Sequence, residues 1–150
     1  MTDIEIRRAV TSDIPVIVAM LADDELGATR ASPDDLAPYY AAFARLAGDP
    51  NQFLMVAVRD GEPVGTLQLT LISGLSRRGA TRAVIESVRV HHSARGAGIG
   101  QQMIRWAITE SERRGCRLVQ LTSDKSRSRA HQFYERLGFA ASHIGFKLQL

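Results

Sequence analysis

Hydrophobic and polar positions change period along the chain, and each change marks an element. Ile4 and Ile6 alternate with Glu5, Arg7 and Arg8, which predicts a short first strand. Ile14, Ile17, Val18 and Leu21 recur at helical spacing behind Thr11 and Ser12, which can cap a helix. Ser32-Pro33-Asp34-Asp35 has the capping order for a second helix running to about Leu46, broken by Gly48-Asp49-Pro50-Asn51. Phe53 to Val58 and Val64 to Ile72 read as strands about an Asp60-Gly61 turn, and Ala83 to Val90 as a third, after a loop from Gly74 to Gly79. Ile99, Met103, Ile104, Ala107 and Ile108 form the stripe of a helix from about Gly98 to Arg114, stopped by Gly115. Leu118 to Leu121 reads as a buried strand, Arg127 to Leu137 as a last helix ended by Gly138, and Phe139 to Leu150 as one bent strand or two short ones. Strands followed by strand-helix-strand-helix-strand predict a mixed α/β (α+β) domain.

Composition narrows the class. One hundred and fifty residues suit one domain, and 45% hydrophobic with 23% charged residues is ordinary for a globular chain. No apolar run approaches the roughly 20 residues that span a bilayer. Residues 1–10 carry Asp3, Glu5, Arg7 and Arg8 in place of a signal-peptide centre, so the expectation is a cytoplasmic protein with no membrane partner. A single cysteine, Cys116, excludes an internal disulfide and reads as a small buried apolar residue. His91, His92, His131 and His143 make no metal-spaced set, so no metal is predicted. The net charge of +3 is spread along the chain with only 6% aromatics, which argues against nucleic acid, and a small anionic ligand explains the excess at least as well as a polyanion.

The most informative stretch runs from Val88-Arg89-Val90 through Arg95-Gly96-Ala97-Gly98-Ile99-Gly100. A strand enters a turn with three alternate glycines that opens a helix. Unpaired N–H groups and the positive dipole end suit a phosphate, glycine permits close backbone approach, and Arg95 adds a forked donor. A tight turn with close helix packing explains the same glycines without a ligand. Gln101-Gln102 after Gly100 is not a P-loop ending, and no G-x-G-x-x-G register fits.

Arg95 to Gly100 resembles the Arg/Gln-x-x-Gly-x-Gly/Ala motif of the GCN5-related N-acetyltransferases (GNAT). Ala130-His131-Gln132-Phe133-Tyr134-Glu135-Arg136-Leu137-Gly138-Phe139 resembles that family's A-x-x-F-Y-x-x-x-G-F signature. Ala9-Val10-Thr11-Ser12-Asp13, like the lead into the family's first helix, and Asp60-Gly61-Glu62-Pro63-Val64-Gly65, like its hairpin of strands two and three, fall in family order, so the likeness covers nearly the whole chain. It implies a GNAT fold, with six to seven strands and about four helices, over 1–150. It also implies acetyl-CoA as co-substrate, held by Val88, Arg89, Val90, Arg95, Gly96, Ala97, Gly98, Ile99, Gly100 and Ala130, and the common homodimer. Arg127 stands where many members carry a cofactor-contacting asparagine; it meets a cofactor phosphate or is a solvated helix-start residue.

Acetyl transfer needs a deprotonated amine, a polarised carbonyl and a stabilised thiolate. Parity puts Val84, Glu86, Val88 and Val90 on one face of their strand, and a carboxylate in that apolar row reads as a general base or as an ion-pair partner of Arg82. The resemblance implies Tyr134 facing the CoA sulfur, as an acid or hydrogen-bond donor; packing beside Phe133 is the other reading. It implies that backbone N–H groups near Val88 and Val90 polarise the carbonyl.

Its acceptor walls fall on 21–38, 73–82 and 142–146. There Glu25, within Asp23-Asp24-Glu25, and Arg77 and Arg82 are candidates to bind a small amine carrying an anionic group. The end of the chain, with Ser142-His143 and Phe146-Lys147, is similar to the aminoalkylphosphonate acetyltransferases. A non-catalytic acyl-CoA-binding or regulatory module, or an acetyltransferase acting on a protein amine, is the alternative.

Overall fold

The two periods found in the sequence sort the chain into one sheet with helices on both faces. A computed structural model describes residues 3–150, with Glu25 described by its backbone only. The strands are β1 (Glu5–Arg8), β2 (Gln52–Arg59), β3 (Glu62–Ile72), β4 (Arg82–Val90) and β5 (Leu118–Gln120). The helices are α1 (Ile14–Ala22), α2 (Glu25–Arg30), α3 (Ala37–Ala47), α4 (Ser76–Gly79), α5 (Ile99–Arg113) and α6 (Ser128–Arg136). The sheet order is β1-β2-β3-β4-β5, antiparallel except for the parallel β4–β5 pair.

Alternation along β2 shows why the sheet has two covered faces. Phe53, Met55 and Ala57 join Leu67, Leu69, Ala83 and Ile85 against Ile99, Met103, Ile104 and Ala107 of α5. Leu54, Val56 and Val58 point the other way, against Ile14, Ile17 and Val18 of α1 and Phe43 of α3.

Several expectations are corrected. Among the described residues the sheet has five strands instead of six to seven, because 139–150 forms no ladder and is largely exposed. There are six helices instead of about four, the additions being α2 and α4. Asp24 caps α2 by accepting from Gly27 N–H, and α4 is one turn with left-handed Arg77 and Arg78. The second predicted helix starts four residues late. Ser32 opens a turn to Asp35, its N–H donates to the Tyr39 hydroxyl, and Pro38 takes the first-turn position.

One buried ion pair joins the first strand to the first helix. Arg7 donates to both oxygens of Asp13, at 2.7 and 3.1 Å, and Val10 N–H donates to Asp13 Oδ2 at 2.8 Å. Burial raises the Asp13 pKa, but these donors outweigh it and hold the carboxyl below its ordinary value. A lowered pKa stabilises the fold above the unfolded value, near 3.9, and that contribution is lost as pH falls through the folded one. Asp13→Asn should therefore cost about 1–3 kcal/mol at pH 7 in urea unfolding, shrinking as pH falls below the unfolded value and through the folded one. An equal loss above and below that range would contradict this.

Candidate active site

The site begins with an interruption in β4. Gln68 pairs with Glu86, but Thr66 pairs with Arg89, so β4 carries one residue more than β3 between those pairs. Ser87 has φ 55, the left-handed value of a strand bulge. Parity therefore breaks. Val88 and Val90 pack with Ala83 and Ile85 on the α5 face, while Glu86 and Arg89 lie on the other face, opposite Gln68 and Thr66. Glu86 thus does not share a face with Val88 and Val90, which corrects the parity expectation. No ion pair joins it to Arg82 among the described residues; it is exposed.

A second interruption opens a gap. β4 and β5 pair only over Arg82–Val84 with Leu118–Gln120, and then diverge. Beyond Val84 the β5-facing edge of β4 has no ladder partner. Its carbonyls are met by side chains instead: Val88 C=O accepts from Arg89 Nη1 at 2.9 Å and Val90 C=O from Arg95 Nε at 3.2 Å. His91 N–H donates to Val64 C=O on the β3 side, so by alternation the Val88 and Val90 N–H groups face the gap.

The glycine turn closes one end of this gap. Gly96 and Gly98 have φ of 81 and 78, and no atom would crowd a Cβ on either, so backbone conformation alone calls for glycine there. Gly100 has no such φ; a Cβ there would meet Phe133 at 3.6 Å and Val90 at 3.7 Å, ordinary contact distances. Gly98 is the N-cap of the 15-residue α5, no side-chain hydrogen bond caps that end, and its first turn holds no acidic residue. A cavity of about 300 Å³ lies in front, lined by Val90, Arg95, Gly96, Gly98, Ile99 and Phe133 among others. An open N-terminus with a cation beside it fits a pyrophosphate. Arg95 is already engaged, however: its Nη2 lies 3.2 Å from Asp23 Oδ2, and His92 Nδ1 meets the same oxygen at 3.2 Å. Asp23 ties the end of α1 to the turn.

Tyr134 of α6 supplies the far wall. Its ring meets Phe133 and Phe139 edge-on, at centroid distances of 5.2 and 5.9 Å. Burial raises its pKa, against the opposing pull of Arg127 and Arg89. The phenol therefore keeps its proton through the neutral range and acts as a donor.

Arg89 is the cation that sequence reasoning assigned only to the cofactor. It is 82% buried by side-chain area, and its Nε lies 3.3 Å from Asp24 Oδ2 without the alignment of a hydrogen bond. Burial lowers its pKa; Asp24 opposes this, and Arg127 and Arg30 lower it further. Arg30, Arg89 and Arg127 thus make a basic cluster beside Tyr134 against one carboxylate, a field that favours an anion. Arg127 begins α6 as its N-cap, with its N–H on Asp124 C=O at 3.0 Å, and Ala130 is half-buried one turn on.

The remaining candidates stand apart. Arg77 is exposed in α4, and Arg82 opens β4 four residues before Glu86, about 13 Å along the strand. The Glu25 side chain lies outside the described groups. Asp23 and Asp24 are held by Arg95 and Arg89, so the acidic segment expected as an acceptor wall is spent on ion pairs. Burial pushes the Cys116 thiol up, which keeps it protonated.

An unanticipated apolar cavity of about 170 Å³ lies on the Glu86 side of the sheet, bounded by α1, α3, Leu54, Thr66, Gln68 and Ser87. Gln68 and Ser87 had no sequence signal, since a bulge is invisible to alternation. Among the described residues no group of His, Cys, Asp and Glu is placed to hold a metal ion, and no helix is long and apolar enough to cross a membrane.

Comparisons with known proteins point to one family. The acetyltransferase (GNAT) family model matches residues 18–139. The chain is 32% identical to an aminoalkylphosphonate N-acetyltransferase of Salmonella typhimurium over 145 residues, 95% of this chain and 88% of the relative. It is 36% identical to a glucosamine 6-phosphate N-acetyltransferase of Trypanosoma brucei brucei over 90 residues, 60% of this chain and 59% of that one. A solved chain described as a transcriptional regulator from Bacillus halodurans is 45% identical with a TM-score of 0.95. That match covers 99% of this chain and 100% of the other, so it runs through the C-terminal tail.

Gly98→Ala, which must hold φ 78 with a Cβ, should cost about 1 kcal/mol of stability and raise the acetyl-CoA Kd about tenfold. Calorimetric titration reads the second number, and an unchanged Kd would remove the turn from cofactor binding.

Proposed function

The chain belongs to the acetyltransferase (GNAT) family, whose co-substrate is acetyl-CoA, and we propose that it N-acetylates a small primary amine bearing an anionic group. The observation that carries this reading is the β4 bulge, which brings Glu86 and Arg89 to one face. Their strand partners Gln68 and Thr66, with Ser87 of the bulge, line an apolar cavity, and the β4–β5 pairing has ended before them.

The roles follow from chemistry. Acetyl-CoA supplies an activated thioester. Open N–H groups of α5 and the glycine turn hold its pyrophosphate, with Arg95 turning from Asp23 toward it. The Val88 and Val90 N–H groups, aimed into the gap, stabilise charge developing on the thioester oxygen. The amine arrives as an ammonium with a pKa near 10.4, and Glu86 accepts its proton directly or through water. Tyr134 donates a hydrogen bond to the departing sulfur. Its raised pKa makes complete transfer to a thiolate, whose ordinary pKa is about 8.5, uphill.

Arg89, with Arg30 and Arg127 behind it, receives the anion of the acceptor. Arg77 and Arg82 do not suit a small acceptor, because the roughly 13 Å of strand from Arg82 to Glu86 exceeds its amine-to-anion span. The Salmonella relative, an aminoalkylphosphonate N-acetyltransferase, and the Trypanosoma relative, a glucosamine 6-phosphate N-acetyltransferase, support the same acceptor class. We place the enzyme in the cytoplasm, acting as a homodimer.

The test is thiol release from acetyl-CoA across aminoalkylphosphonates, amino-sugar phosphates, amino acids, polyamines and lysine peptides. Release is expected with the first two classes. Silence with acetyl-CoA still bound would favour a regulatory acyl-CoA-binding module, the reading that the description of the Bacillus halodurans chain raises.

Two variants divide the roles. Tyr134→Phe should lower kcat about 10–100-fold with little change in KM. Arg89→Gln should raise KM about 10–100-fold for an anionic amine and much less for its neutral analogue. Equal effects of Arg89→Gln on both amines would sink the anion assignment.

A further inference from the structure

An apolar cavity remains on the Glu86 side of the sheet after the core has packed. It lies between α1, α3 and the strands, walled by Ile17, Val18, Ala42, Phe43 and Leu54 among others, and its volume is about 170 Å³. A cavity of about 150 Å³ with walls of this kind stays dry and takes up benzene, so this one has room for about six carbons.

Its polar groups gather on the strand side. Thr66 donates its hydroxyl to Met55 C=O at 2.9 Å, and the Tyr39 hydroxyl accepts from Ser32 N–H at 2.8 Å, so both are engaged. Gln68 and Ser87 are different. Ser87 is exposed at the bulge, so the cavity opens there, directly after Glu86. Gln68 is the partner of Glu86 across the two strands. Its amide is held in place: Nε2 donates to Gln52 Oε1 at 2.9 Å, and Thr70 Oγ1 donates to the same oxygen at 2.8 Å. With an N–H engaged there, the carbonyl oxygen is the end of the Gln68 amide that can accept. A dry pocket that opens beside a carboxylate and a fixed acceptor fits an amine with an apolar branch.

We propose that this cavity seats an apolar substituent of the acceptor, that the amine N–H donates to the Gln68 carbonyl oxygen beside Glu86, and that Gln52 is the positioning residue for that amide. The acceptor class narrows to anionic amines with an alkyl or aryl branch near the nitrogen. Gln68 and Glu86 stand opposite each other, about 5 Å apart, so a branch on the carbon that bears the nitrogen enters the cavity while the nitrogen stays at the carboxylate. Thr66, the partner of Arg89, is two residues from Gln68 along β3, about 7 Å, which keeps the anion of the same molecule within reach of Arg89. An amino-sugar phosphate, whose hydroxyls would lose water in the cavity, gains nothing from it. This assignment rests on the acceptor proposed above, but binding decides it and acetyl transfer does not, so the two fail separately.

The experiment is calorimetric titration of the full chain, with CoA present, using 1-aminoalkylphosphonates whose branch is hydrogen, methyl, propyl or benzyl. Kd should fall about fourfold per carbon over the first three, with a binding heat capacity that grows more negative along the series. A flat series, or no binding, overturns the proposal whether or not the compounds are acetylated. A falling Kd without acetylation upholds the pocket and overturns the acetyl-transfer reading. Ala42→Leu fills the cavity from α3 and should cut the gain from hydrogen to propyl to below about threefold. A gain as large as in the parent chain overturns the proposal, and Ala42→Val puts the same question if the larger side chain prevents folding. Gln68→Met should weaken every member of the series about tenfold. Gln52→Leu should do so less strongly, and Gln52→Glu, which keeps an oxygen for both donors, should restore binding. Equal losses in the two Gln52 variants would overturn its positioning role.

Discussion

One extra residue in β4 governs the candidate site. Strand side chains alternate strictly, so Glu86 and Arg89, three positions apart, belong on opposite faces of a regular strand. The bulge at Ser87 removes one step of that alternation and puts both on the α1 side, while Val88 and Val90 stay in the α5 core. The left-handed φ of a non-glycine residue is the local cost of this rearrangement. It puts a carboxylate and a buried cation on one face of the sheet, the cation 3.3 Å from Asp24.

The parting of β4 from β5 is the second constraint. Three paired residues hold the strands together, and beyond them β4 presents backbone donors to a gap in place of a ladder. Its carbonyls are taken by Arg89 and Arg95, which keeps the edge satisfied without closing it. The same two arginines are tethered by Asp24 and Asp23, consecutive residues between α1 and α2. The turn before α2 thus tethers both Arg95 of the glycine turn and Arg89 of β4.

Stability and assembly divide along the same sheet. At the β1 side a buried carboxylate with three donors locks strand to helix, and charged side chains guard the edge. At the β5 side the strand is short, uncharged and uncovered, and the tail beside it is apolar on one face. The sheet's two edges are therefore unlike, one charged and locked and the other short and uncharged.

Local patterns were enough to establish most of the elements. Periodicity located β2 to β5, α1, α5 and α6 within a few residues, because each buries a stripe or face whose spacing is a property of backbone geometry alone. The glycine turn was legible for the same reason: Gly96 and Gly98 adopt a φ that other residues resist. Tyr134 and the turn were legible through their likeness to family motifs. Other features depended on tertiary contact. The Ser32 cap signal lost to a turn held by Tyr39, the bulge needed β3 alongside to define a register, and the asymmetry of Arg89 needed Asp24, Arg30 and Arg127 from other elements. The tail reads as strand by alternation, yet among the described residues it joins no ladder. Sequence spacing specifies what each segment can bury, whereas register, charge balance and edge pairing arise between segments and are decided only when they meet.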